Sequence, residues 1–206
     1  MRYPAEHKRQ SSQRILREAG RLFRKQGYAA TGVDAVMKSA DLTAGAFYAH
    51  FRSKEELLAA TLDAVFCNAG NDRPEPLNTL HGRDWVRAFV SFYVSAEHRD
   101  AVEKGCPMPA LAADVARIGG QPREVFEHHL RRVLDNIAGH FDAQSPDRER
   151  AIATMSLCLG GLMLARAVND GELSAEILHA CRNTVIEQIV PGRQDDAVEQ
   201  RPTSNN

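Results

Sequence analysis

Residues 42–58 read LTAGAFYAHFRSKEELL. The stretch is a poor buried helix. Gly45 sits in mid-turn, Phe47, Tyr48, His50 and Phe51 crowd behind it, and only at Ser53 does a clear helix start appear, with Glu56 three residues on as a capping box. Direction sorts these residues. Phe47 and Phe51 are four apart and share a face, so with Leu42, Val33 and Val36 they can form a small core. Ala44 and Tyr48 are also four apart, on a neighbouring face that can point outward, and Gly45 and Ala49 extend it with almost no side chain. Together with Thr43, that face lets a backbone lie close to the floor of a DNA major groove. Tyr48 and His50 reach sideways as donors, and Lys54 can join the amides of the next helix at a phosphate. Gly45 is then a close-approach residue, kept at about 1 kcal/mol of helix propensity relative to Ala.

The surroundings agree. Residues 1–54 hold 11 Lys and Arg against 4 Asp and Glu, a net of +7, whereas residues 55–206 hold 15 against 23, a net of −8. A basic head on an acidic body points the head, and not the body, at a polyanion. Composition is that of a globular protein, 43% hydrophobic and 26% charged. The cysteines Cys67, Cys106, Cys158 and Cys181 match no metal or redox spacing, so no disulfide, metal or cofactor and a reducing, cytoplasmic setting are expected. The start is polar and basic without the apolar core of a signal peptide, and the most apolar run, Ala151 to Ala165, is too short to span a bilayer.

Nearly every segment has helical period, which predicts an all-α chain of about nine helices. The first covers Glu6 to Gln26, with the stripe Ile15, Leu16, Ala19, Leu22 and Phe23, and Gly27 stops it. Thr31 begins a short helix to Ala40, and Thr43 opens another that ends near Phe51, the pair forming a helix-turn-helix. A longer helix runs from Ser53 to Asn68. After the loop Gly70 to Gly82 come a helix with Trp85, Phe89, Phe92 and Tyr93, one from Cys106-Pro107 to Ile118, one from Arg123 to His140, one from Asp147 to Val168, and a last one capped by Ser174. The expected division is a head over 1–53, a body over 54–190 and a disordered tail over 191–206.

From Arg14 to Leu58 the chain resembles the DNA-binding head of the TetR family of bacterial repressors. The motifs are Phe23, Gly27 and Tyr28 at the first turn, then Thr31, then the run from Gly45 to Leu57. The resemblance implies a homodimer joined by the last two helices of each subunit, an inverted-repeat operator, a ligand pocket inside the body and release from DNA on ligand binding. It places Thr31, Tyr48, His50 and Lys54 at phosphates and Thr43, Ala44, Gly45 and Ala49 at base edges, with Lys38 nearby. Asp34 departs from the basic or hydroxyl residue some members have there. The base-facing set lacks Arg, Asn and Gln, so thymine methyls and DNA shape carry more of the specificity than bidentate readout.

In the body, Gly160-Gly161 and the stripe Ile177, Cys181, Val185 and Ile189 suit close helix contact at a subunit interface. Trp85, Phe89, Phe92, Tyr93, Met108, Phe126, Met155 and Met163 are either plain core or the wall of an effector pocket, with Arg166 a weak candidate partner for a ligand. Cys106 precedes Pro107 at a helix start near Lys104, a setting that favours thiolate. The Gly-Cys pair resembles the branch of the family that includes the N-ethylmaleimide reductase repressor, which senses electrophiles and oxidants. His128-His129 cannot share one ion on a helix face and reads as a solvated surface. Two other classes stay open: a thiol enzyme with Cys106 as nucleophile and His98 as base, and an architectural DNA protein without effector.

Overall fold

In the computed structural model of the chain, residues 5–68, 75–141 and 144–190 are described. Among them are ten α-helices: α1 (Ala5–Gln26), α2 (Val33–Ser39), α3 (Lys54–Asn68), α4 (Pro76–Thr79), α5 (Gly82–Tyr93), α6 (Ala96–Asp100), α7 (Met108–Ile118), α8 (Gly120–Phe141), α9 (Arg148–Ala167) and α10 (Gly171–Thr184). Ala44–Ala49 is a 3₁₀ segment, and Val185–Ile189 extends α10 as a π-helical turn. No strand occurs among the described residues. The elements beyond the expected nine are the short α4 and α6; α4 falls within the expected loop, whose residues 70–74 lie outside the described residues, as does the expected tail.

Local chemistry sets most boundaries. Gly27, at φ +80, ends α1 in a conformation that side chains avoid. At the start of α3 the Ser53 hydroxyl accepts the Glu56 N–H at 3.1 Å, and the Glu56 carboxylate accepts the Arg52 N–H at 2.7 Å, one residue earlier than in the usual box. The start of α10 differs from expectation. Asp170 accepts the N–H groups of Glu172 and Leu173, while Ser174 is buried and donates to Ala165 O at 2.8 Å. A carboxylate accepts two orphan amides where a hydroxyl satisfies one, so the cap moves four residues upstream.

Two cores result. Ile15, Phe23, Met37, Phe47 and Phe51 meet Leu57, Leu58 and Leu62 of α3, and Leu111 and Val115 of α7 complete this head core. The body core gathers Trp85, Val90, Met108, Ile137, Met155, Leu162 and Val185. Phe66 and Phe126 pack against both, edge to face at 6.4 Å. The apolar run expected to be too short for a bilayer belongs to a 20-residue helix, α9, which by length and composition alone could cross one. Its Ala151, Met155, Cys158 and Leu162 are instead buried in the body core.

Candidate nucleic-acid interface and effector cavity

Between α2 and the 3₁₀ segment the chain turns through Asp41 at φ 55, a left-handed position that Asp tolerates. The turn buries Phe47, whose ring lies 5.8 Å from that of Phe51, and presents the opposite side of the segment to solvent. Lys38, Thr43, Ala44, Gly45, Tyr48 and Ala49 are all exposed, Tyr48 at 76%. A side chain at Gly45 would meet nothing within 4 Å, so packing within the chain gives no reason for glycine there. Since the segment is 3₁₀ and not α, the propensity argument for Gly45 loses force. His50 is half-buried beside Phe51, and burial, then Lys8, lowers its pKa.

Thr31 and Lys54 stand differently from expectation. Thr31 is fully buried, and its hydroxyl donates to Gly27 O at 2.8 Å and Leu22 O at 3.4 Å. It locks the end of α1, so its side chain cannot lie at a phosphate, and α2 begins only at Val33. The Lys54 ammonium donates to Tyr28 O at 2.6 Å and sits 4.1 Å from the centre of the Tyr28 ring. It is therefore engaged within the head; partial burial lowers its pKa.

A cavity of about 1000 Å³ lies between α1, α3, α5, α8 and the segment leading into α7. Trp85, Phe89, Phe92, Tyr93, Cys106, Met108 and Met155 line it. Met163 does not: it is 42% exposed, because the way α9 lies in the bundle leaves that edge of its stripe outside. Phe126 fills the junction of the two cores instead of the wall.

The setting of Cys106 is not the expected one. Burial dominates and raises its pKa, despite the opposing effects of the Tyr93 hydroxyl, the Met108 N–H, Arg24 and Arg166. His98 is not placed as its base. The Cys106 backbone N–H donates to His98 Nε2 at 3.1 Å, and the ring's other nitrogen lies 2.7 Å from Tyr93 O. An amide can only donate and a carbonyl only accept, so His98 is the neutral Nδ1–H tautomer with both nitrogens occupied. Burial also lowers its pKa. Gly105 is explained by the same ring: a Cβ there would lie 2.8 Å from His98 Nε2. Arg166 is likewise committed, donating to Arg99 O at 2.8 Å and His98 O at 2.6 Å.

His129 is not on a solvated face either. It is buried, stacks on Phe66 at 4.6 Å and contacts Asp63 at 2.8 Å. With Cys67 these residues bring three possible metal-ligand atoms within 4.8 Å, a grouping across α3 and α8 that sequence spacing does not reveal.

The α9–α10 contact divides the glycine pair. Gly161 is buried against Cys181, while Gly160 has open space outside it. Val185 is fully buried in the subunit's own core, and Ile177 and Ile189 pack against that core. Of the expected interface stripe, Val185 therefore faces inward, while Ile177, Cys181 and Ile189 are only partly buried. The apolar residues left outside are Ile152, Met163 and Leu164 of α9 and Leu173 of α10.

Comparison with known proteins fits this architecture. Residues 15–61 match the model of a family described as bacterial regulatory proteins, tetR family. The HTH-type transcriptional regulator TcmR of Streptomyces glaucescens is 32% identical over 195 residues, 89% of this chain and 84% of that protein. The HTH-type transcriptional repressor NemR of Escherichia coli is 25% identical over 122 residues, and the chain spans only 61% of its length. An uncharacterized HTH-type regulator of Bacillus subtilis, YerO, is 39% identical over 54 residues, 19% of its length. The crystal structure of reduced E. coli NemR superposes with a TM-score of 0.68 at 21% identity, covering 84% of this chain and 95% of that one. These relatives are transcriptional regulators, not enzymes.

Proposed function

We propose, since the chain belongs to the TetR family of bacterial regulatory proteins, that it is a homodimeric repressor which binds an inverted-repeat operator and is released by a small molecule in the cavity. The observation that carries the DNA reading is the bare face of the 3₁₀ segment. Thr43, Ala44, Gly45 and Ala49 are exposed with little bulk, and Tyr48 stands beside them at 76% exposure. On this reading these residues and Lys38 approach the major groove, Tyr48 and His50 meet phosphates, and Lys54 orders the head through Tyr28. The net of +7 over residues 1–54 supplies the long-range attraction.

The apolar face of Ile152, Met163, Leu164 and Leu173 supports pairing of two subunits across α9 and α10. The cavity supports an effector, which an architectural protein would not need. Cys106 lies in its wall, so an electrophile entering the cavity would reach the sulfur, but burial keeps the group a thiol and favours a reversible ligand.

Selection of bound duplexes from a random pool, followed by footprinting, tests this reading. A palindromic site protected by a dimer is expected, with affinity falling roughly a thousandfold between about 50 and 200 mM salt for some six phosphate contacts. Binding by a monomer, or indifference to salt, would refute it.

A further inference from the structure

Residues 55–206 carry a net charge of −8, yet among the described residues the cavity wall contains no Asp or Glu. It contains instead four cationic side chains, Arg17, Arg24, Lys104 and Arg132. Arg17 is shared with Glu18 at 3.3 Å. The wall is thus of one sign, and a cleft of one sign focuses its field on the opposite charge.

The inner end is more specific. Arg24 Nε donates to Glu103 O at 2.8 Å and its Nη2 donates to the same oxygen, but Nη1 is buried with no hydrogen-bond partner. The Tyr93 hydroxyl, on a residue only 4% exposed, has the Cys106 thiol as its neighbour and no nitrogen or oxygen partner. Arg24, Tyr93 and Cys106 all line the cavity. Buried donors are nearly always satisfied, and a guanidinium edge beside a phenol hydroxyl is a donor set shaped for a carboxylate. Beyond it the wall is flat and apolar, with Trp85 and Phe89 stacked at 5.2 Å and Phe92 and Met155 nearby.

We infer that the cavity takes a small organic acid, its carboxylate held by Arg24 and the Tyr93 hydroxyl and its flat apolar body lying along Trp85, Phe89 and Phe92. A cationic ligand would find no carboxylate among the described wall residues, and a neutral one would leave Arg24 Nη1 buried without a partner. Arg24 belongs to α1 of the head and Glu103 to the segment before α7, so the acid is sensed by a residue of the DNA-binding unit itself. The inference rests on the cavity being the effector site proposed above.

Calorimetric titration of the full-length protein with biphenylcarboxylate, biphenylcarboxamide and biphenylmethylammonium separates the charge classes on one apolar body. The acid should bind on the order of tenfold more tightly than the amide, and the ammonium not at all. Arg24→Gln should bring acid and amide to within about twofold, and Tyr93→Phe should cut the preference severalfold. Because Arg24 also ties α1 to Glu103, the Tyr93→Phe protein serves where Arg24→Gln fails to fold. Equal binding of acid and amide, preference for the ammonium, no binding of any of the three, or a preference that survives both substitutions would overturn the inference. Operator release is measured with the same compounds. An acid that binds selectively yet leaves the protein on DNA upholds the anion site and refutes the effector reading. An amide or ammonium that binds at least as tightly as the acid and releases DNA does the reverse.

Discussion

Gly160 and Gly161 are neighbours in α9 with opposite surroundings, and replacing each with Ala separates packing within the subunit from contact between subunits. A Cβ on Gly161 would lie 2.6 Å from Cys181 Sγ and 3.1 Å from Cys181 Cβ, whereas one on Gly160 meets nothing within 4 Å. Each substitution gains about 1 kcal/mol of helix propensity. Gly161→Ala must in addition drive α10 off α9 or force Cys181 from its rotamer, an overpacking strain of about 1–3 kcal/mol. The net expectation is a loss of up to about 2 kcal/mol for Gly161→Ala and a gain of up to about 1 kcal/mol for Gly160→Ala. Removing the sulfur with Cys181→Ala in the Gly161→Ala background should recover most of the loss, since only the milder 3.1 Å approach remains.

Urea unfolding followed by far-UV ellipticity, repeated over a wide range of protein concentration, reads both effects. At dilutions where subunits separate, Gly160→Ala should unfold at higher urea than wild type. At concentrations where dimers form, the advantage should shrink, because Gly160 shares α9 with the exposed Ile152, Met163 and Leu164. The Gly161→Ala deficit should not depend on concentration. A Gly161→Ala protein as stable as Gly160→Ala throughout would refute the packing argument, and a Gly160→Ala gain untouched by concentration would refute the placement of the interface.

Tyr48→Phe should weaken binding to every operator variant alike and leave the melting temperature unchanged, while Lys54→Ala should lower both, since Lys54 holds Tyr28 O; binding assays beside thermal melts decide. Alkylation by iodoacetamide, followed by mass spectrometry, should modify the exposed Cys67 first and Cys158 last, the latter pushed up to about 12 by burial, with Cys106 slow because burial raises its pKa too. The His98 pKa is lowered by burial, so the unfolded chain binds the proton more readily than the folded one. The stability His98 contributes is therefore complete above the ordinary His value and is lost as pH falls through the folded one. The urea midpoint should drop as the pH falls below the ordinary His value, and His98→Asn should flatten that drop.

Helical period reveals the all-α class and most helix ends, because one element's burial pattern is written in its own residues. The exposed face at Thr43–Ala49 is legible for the same reason, as Phe47 and Phe51 point one way and leave Tyr48 and Gly45 to the other. What period cannot show is the partner across space. Thr31 has the hydroxyl a phosphate contact needs, but Gly27 O, four residues back, takes it first. Met163 and Met155 look alike in sequence, and only the angle of α9 in the bundle separates core from surface. The cavity side of α1 did leave a trace. Gln13, Arg17 and Arg24 follow helical spacing on one edge, so two arginines share a stripe that solvent alone does not require.

The union of head and body is the least legible feature, since its ties join residues far apart in the chain. Tyr28, just past the turn at Gly27, is held from two sides. Its N–H donates to Asp114 of α7 at 3.0 Å, and its carbonyl accepts from Lys54 of α3 at 2.6 Å. A few residues earlier on α1, Arg24 grips Glu103 O, and Lys25 pairs with the Glu103 carboxylate at 2.6 Å. The segment from Glu103 to Asp114 therefore meets the head at both of its ends and lines the cavity with Cys106 and Met108 between them. A ligand that displaces this segment pulls on α1 and on the turn before α2 together. No long chain of intermediates is needed for the cavity to be felt at the DNA-facing surface, because the same short segment belongs to both.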